Sequence, residues 1–137
     1  MSGDNLDQVC ARYGYQIAAA VCGAIKKAAG NHITKSLGVL QEDGVYAFAL
    51  YQASRGKREK EGAEKLKELA KGLLHDARVP PFNSNSVPDL LEGLRGNPQE
   101  HLAGLAEDLD SLLLAKRLLE QTLIYARYHA KVLEPAQ

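Results

Sequence analysis

Four histidines (His32, His75, His101 and His129) and two cysteines (Cys10 and Cys22) are the side chains of this sequence best suited to metal ligation or nucleophilic chemistry. Their spacing favours neither. A helical di-iron site uses Glu-x-x-His on facing helices, and no histidine here has a Glu three positions before it. No His-x-x-x-His pair sets two imidazoles on one helix face for zinc, and two cysteines outside a Cys-x-x-Cys cannot close a site alone. Cys10, near Tyr13, reads as a core thiol rather than a nucleophile, and the cysteines together as buried thiols of a reducing compartment. His75-Asp76 reads as a cation near helix-terminal carbonyls rather than as a catalytic pair. There is no Gly-rich phosphate loop, dinucleotide-binding fingerprint or nucleophile elbow. The sequence predicts a non-enzyme with no metal and no cofactor.

Charge is the remaining chemistry. Lys plus Arg and Asp plus Glu both total 17, which excludes a uniformly basic binder but leaves room for a local basic face. Residues 78–111 hold six acidic and two basic side chains, whereas 31–58 and 112–137 each hold four basic and two acidic. Lys35, Arg55, Lys57 and Arg58 make up the first basic set, and Lys116, Arg117, Arg127 and Lys131 the second. A surface that tracks phosphates without reading bases needs such groups and little else. Arg127 and Lys131 are four apart and share a helix face. Tyr125, Tyr128 and His129 either stack on bases or bury their rings with polar tips in water. A chain with opposite-sign segments also suits head-to-tail association with copies of itself.

The elements that must position these groups are helical. The 137 residues are 45% apolar and 25% charged, rich in Ala, Leu, Glu, Lys and Arg, with no Trp and no alternating β-branched pattern. The prediction is an all-α single domain, 1–137, a bundle of five to six helices with long first and last helices. The first helix starts after Asp4 or Asn5, runs through Val9, Tyr13, Ile17, Ala20, Val21, Ala24 and Ala28 along one stripe, and stops at Gly30-Asn31. A short helix over about Ile33–Gln41 breaks at Asp43-Gly44, and another carries Val45, Phe48, Ala49 and Tyr51 or Gln52 toward Ser54. A periodic helix follows from Glu59 to about Asp76, with Ala63, Leu66, Leu69, Ala70, Leu73 and Leu74 inward. Prolines make 78–88 a loop in which Val79 and Phe82 could meet a protein partner, and a short helix covers Asp89–Leu94. The last helix spans about Glu107–Val132, with Leu109, Leu112, Leu113, Lys116, Leu119, Leu123, Ala126 and Ala130 near one stripe. No apolar run is long enough to span a membrane and no signal peptide is evident, so the expected location is cytoplasmic.

Two passages carry a family likeness. Gly38-Val-Leu-Gln-Glu-Asp-Gly44-Val-Tyr-Ala-Phe-Ala-Leu-Tyr51 resembles the segment of the small helical subunit of type III-B CRISPR effector (Cmr) complexes in which a short helix stops at a polar-Gly turn and an aromatic-rich helix follows. Lys116-Arg-Leu-Leu-Glu120-Gln-Thr-Leu-Ile-Tyr125-Ala-Arg-Tyr-His-Ala-Lys131 is similar to the C-terminal helix of that family. Asp43 stands where the family usually has Asn, and Val45 where it has Leu. The aromatic-Lys-Arg ending appears here as Arg-Tyr-His, so the equivalent small subunit of a related type III complex fits as well. The resemblance implies a non-catalytic subunit stacked in several copies along the backbone filament. It also implies contact with the large subunit and with target RNA paired to guide RNA. A purely structural adaptor that binds a protein partner only is the alternative.

Overall fold

The computed structural model describes residues 5–77 and 109–133, and among these there are helices and no strand. Helix α1 is Asn5–Ile25, α2 is Ala29–Ala53, α3 is Lys60–Asp76 and α4 is Leu109–Leu133; a single 3₁₀ turn, Lys26–Ala28, joins α1 to α2. The described residues thus hold fewer helices than the five to six expected. The helices expected on either side of Gly44 are both present, joined end to end across a non-helical Gly44 and carried here under the one label α2. The loop at 78–88, with Val79 and Phe82, and the helix at Asp89–Leu94 lie outside the described residues, as do Asp4 and His101.

Most of three expected stripes buries as the spacing requires, whereas Ala20, Ala24 and Ala28 of the first and Leu69 of the Glu59–Asp76 stripe are half-buried. Val9, Tyr13, Ile17 and Val21 of α1 face inward, as do Leu66, Ala70, Leu73 and Leu74 of α3 and Leu119, Leu123, Ala126 and Ala130 of α4. Leu113 does not: it is 51% exposed, and Lys116 is half-buried rather than inward. The inward stripe of α4 passes instead through Ala115 and Leu118, which keep step with Leu119 and Thr122 on a 3.6-residue period.

Cross-contacts fix the helix directions. Ile25 meets Gly62 while Tyr13 meets Gly72 and donates a hydrogen bond to Asp76, so α1 and α3 run antiparallel. Cys10 donates to the carbonyl of Leu118, and Tyr15 packs edge-on against His129, so α1 and α4 run in the same direction. The α1–α4 seam is close because Gly14 has no side chain. A Cβ there would stand 2.5 Å from Cβ of Tyr125 and 2.9 Å from the carbonyl oxygen of Thr122.

Two breaks shape the rest. Gly44 has φ +96° and ψ −176°, a conformation open essentially to glycine alone, and it bends α2 at the predicted point. The bend is large: His32 and Gln52 are hydrogen-bonded, although twenty residues of straight helix span about 30 Å. The second break corrects the expected end of α1. The helix stops at Ile25, and Lys26 takes a left-handed φ of 55°, so Gly30 and Asn31 lie in the first turn of α2 and terminate nothing. No helix of the described residues is long and apolar enough to cross a membrane.

Candidate nucleic-acid interface

The second basic set lies on one open face of α4. Lys116, Glu120, Ile124, Arg127 and Lys131 follow three- and four-residue spacing, with Arg117 and Tyr128 one step round the helix, and all are exposed or half-buried. From Lys116 to Lys131 this row extends about 22 Å along the axis. Glu120 is its one acidic member. The Arg127 guanidinium lies 5.6 Å from the centroid of the Tyr128 ring, within cation–π range, and Tyr128 is itself 59% exposed. The ring of Tyr125 is half-buried, and its hydroxyl donates to the Asp7 carboxylate at 3.0 Å. Of the aromatic residues singled out in the sequence, Tyr125 therefore fits the buried-ring reading, and Tyr128 is the one left open.

The first basic set divides. Lys57 and Arg58, both exposed, edge a surface groove at the end of the bundle where the α2–α3 connection passes the 3₁₀ turn. Antiparallel packing of α1 and α3 brings Lys26 and Lys27 to the same place. Sequence reasoning missed those two lysines. Their adjacency was visible, but only the helix stop at Ile25 puts them on a turn. Lys35 is exposed on α2 and lines no part of the groove, and no residue of α4 lines it either.

Arg55 is held by neighbours. Its guanidinium carbon lies 3.8 Å from the centroid of the Tyr51 ring, its Nε donates to the Tyr51 carbonyl at 3.0 Å, and one terminal nitrogen is 3.5 Å from Glu59. Beneath it lies a buried polar cluster that the sequence did not announce. His32, fully buried, pairs with Gln52, and Gln52 donates from Nε2 to Ser36 Oγ at 2.8 Å. The available signals were polar His32 and Ser36 four apart among Ala29, Ile33, Leu37 and Leu40, on a face that otherwise reads as core, and the expected inward place of Tyr51 or Gln52.

The described residues offer little for chemistry. They contain no cluster of three or more His, Cys, Asp or Glu able to hold a metal ion. Burial pushes the Cys10 thiol up, and the thiol donates to a carbonyl, so it is poorly disposed to act as a thiolate nucleophile. His75 and Asp76 are exposed at the end of α3, 4.0 Å apart. Comparison with family models, with curated proteins and with solved structures gave no match.

Proposed function

We propose that this chain is a non-catalytic small subunit of a type III CRISPR effector complex that stacks along the backbone filament and contacts target RNA paired to its guide. The observation that carries the RNA contact is the open face of α4, with four cations and one carboxylate over about 22 Å. Such a row meets phosphates along a strand and reads no base, which suits a subunit that must accept any target sequence. The assignment to a CRISPR complex rests on the likeness of the Gly38–Tyr51 and Lys116–Lys131 passages. The proposed partners are the backbone and large subunits, neighbouring copies of this chain, and the guide–target duplex.

Two measurements test the two parts. Capture of the tagged chain from its native host, followed by mass spectrometry, should return backbone and large CRISPR subunits. Their absence, with a different stable partner in their place, would favour the adaptor reading. Single-stranded RNA titrated over a range of salt should bind in a salt-dependent way. Replacing Arg127 and Lys131 together by Ala should lower the slope of log affinity against log salt by about 1.4, at about 0.7 for each phosphate no longer neutralised. An unchanged slope would sink the α4 interface.

A further inference from the structure

The groove at the 3₁₀ turn consists of two adjoining hollows of about 630 and about 550 Å³ that share Ala28, Asn31 and Arg58. Lys26 and Lys27 edge one, and Lys57 and Glu59 edge the other. Lys26, Lys27, Lys57 and Arg58 make no ion pair among the described residues, so four cations face this hollow surface uncompensated. The single acid, Glu59, is turned away from that role. Its carboxylate lies 3.5 Å from Arg55 and 3.8 Å from the buried Nδ1 of His32. Lys26 also holds a left-handed φ of 55°, a conformation that costs a lysine energy and is kept only because the surrounding packing imposes it.

We infer that this groove is a binding site for an anion with at least two neighbouring phosphates, one seated in each hollow, with the Arg58 guanidinium between them. Arg suits the shared ridge because its planar fork can reach oxygens of two phosphates, whereas each lysine supplies a point charge to one. The first turn of α2 begins at the groove with no side-chain cap on Ala28, and its field favours the same sign of ligand. Neighbouring phosphates occur in a nucleic-acid backbone and in a free polyphosphate. The choice of an RNA strand as their source rests on the proposed function, while the anion site itself does not. The groove would be a second grip on the strand, separate from the α4 face, and neither basic set of the sequence contains it whole.

Tripolyphosphate and a ten-residue oligouridylate are the probes, each titrated into the full chain with amide chemical shifts and calorimetry as readouts. Tripolyphosphate should move the amides of Ala28, Asn31 and Gly56. The Lys57→Gln/Arg58→Gln variant should weaken it at least tenfold, with an unchanged melting temperature because both side chains are exposed and unpaired. Lys26→Gly, which relieves the left-handed strain while removing one charge, should also weaken it without loss of stability. With oligouridylate, the double variant should lower the salt slope by about 1.4. If the oligouridylate slope stays unchanged while tripolyphosphate still maps to the groove, the anion site holds and its source is free polyphosphate. If the chain binds no RNA at all but tripolyphosphate behaves as expected, the proposed function fails and the groove stands. Shifts confined to other surfaces, or equal shifts from polyglutamate of matched charge, overturn the phosphate site.

Discussion

His32 Nε2 lies 2.9 Å from Oε1 of Gln52, closing the bend of α2 from inside the core. Because the Gln52 amide nitrogen donates to Ser36, its oxygen faces the ring and accepts from the Nε2–H of His32. Nδ1 is then bare, buried and without a hydrogen-bond partner. Burial lowers the affinity of His32 for a second proton, and the Gln52 bond and the Glu59 charge only partly offset it.

The sign of the pH effect follows. The folded chain holds His32 neutral where the unfolded chain would protonate it, so the unfolded state binds more protons below the ordinary histidine value. Stability should be fully present at neutral pH and fall as pH drops below about 6.5. Thermal melts between pH 7.5 and 5 should show this decline, and His32→Gln, which keeps an N–H donor toward Gln52, should flatten it. A wild-type melting temperature independent of pH across that range would mean Glu59 stabilises the charged ring as well as water does.

Gly14 tests the α1–α4 seam. Gly14→Ala would press a methyl into the backbone of Thr122 and the Cβ of Tyr125, atoms that cannot rotate away. A cost of about 1–3 kcal/mol is typical of an overpacked core, and this site should fall at the upper end. Gly23→Ala, on the same helix with nothing within 4 Å, should instead stabilise by up to about 1 kcal/mol through helix propensity. Equal effects in denaturant titrations would show that the two helices are not in close contact.

Leu119→Ala and Leu123→Ala should each cost about 2–5 kcal/mol, since both side chains are fully buried. Leu113→Ala should cost far less, being half exposed. The ordering of the three melting temperatures checks that the inward face of α4 runs through Leu119 and Leu123 and leaves Leu113 outside.

The helices were legible where a residue type permits one outcome. Gly44 is such a case, because φ +96° is open to glycine and nearly closed to everything else, and Asp43-Gly44 announced the bend. The stripes through Ile17, Leu66 and Leu119 were legible because three- and four-residue spacing leaves an apolar face nowhere to go but inward. The end of α1 was not. Lysine gives no hint of a left-handed φ, whereas Gly30-Asn31, two residues into α2, carries every local mark of a stop. The groove was hidden for a different reason. Lys26 and Arg58 line one hollow together only through antiparallel packing of α1 and α3, and local pattern does not contain that pairing.

The sequence sets Arg55 among eight candidate RNA-binding cations, yet its surroundings give it structural work. Stacked on Tyr51 and paired with Glu59 four residues later, it closes the lid over the His32 cluster. A partly buried cation–π contact and an i,i+4 ion pair together contribute about 1–2 kcal/mol. Arg55→Ala should therefore lower stability by about that amount and leave the salt slope of RNA binding where it was. Lys57→Ala should do the reverse, with stability unchanged and the slope lowered by about 0.7. The pair separates the two roles in one experiment, because each variant removes a single positive charge from the same short connection. A slope lowered equally by both would return Arg55 to the strand and require its guanidinium to leave the Tyr51 ring when RNA binds.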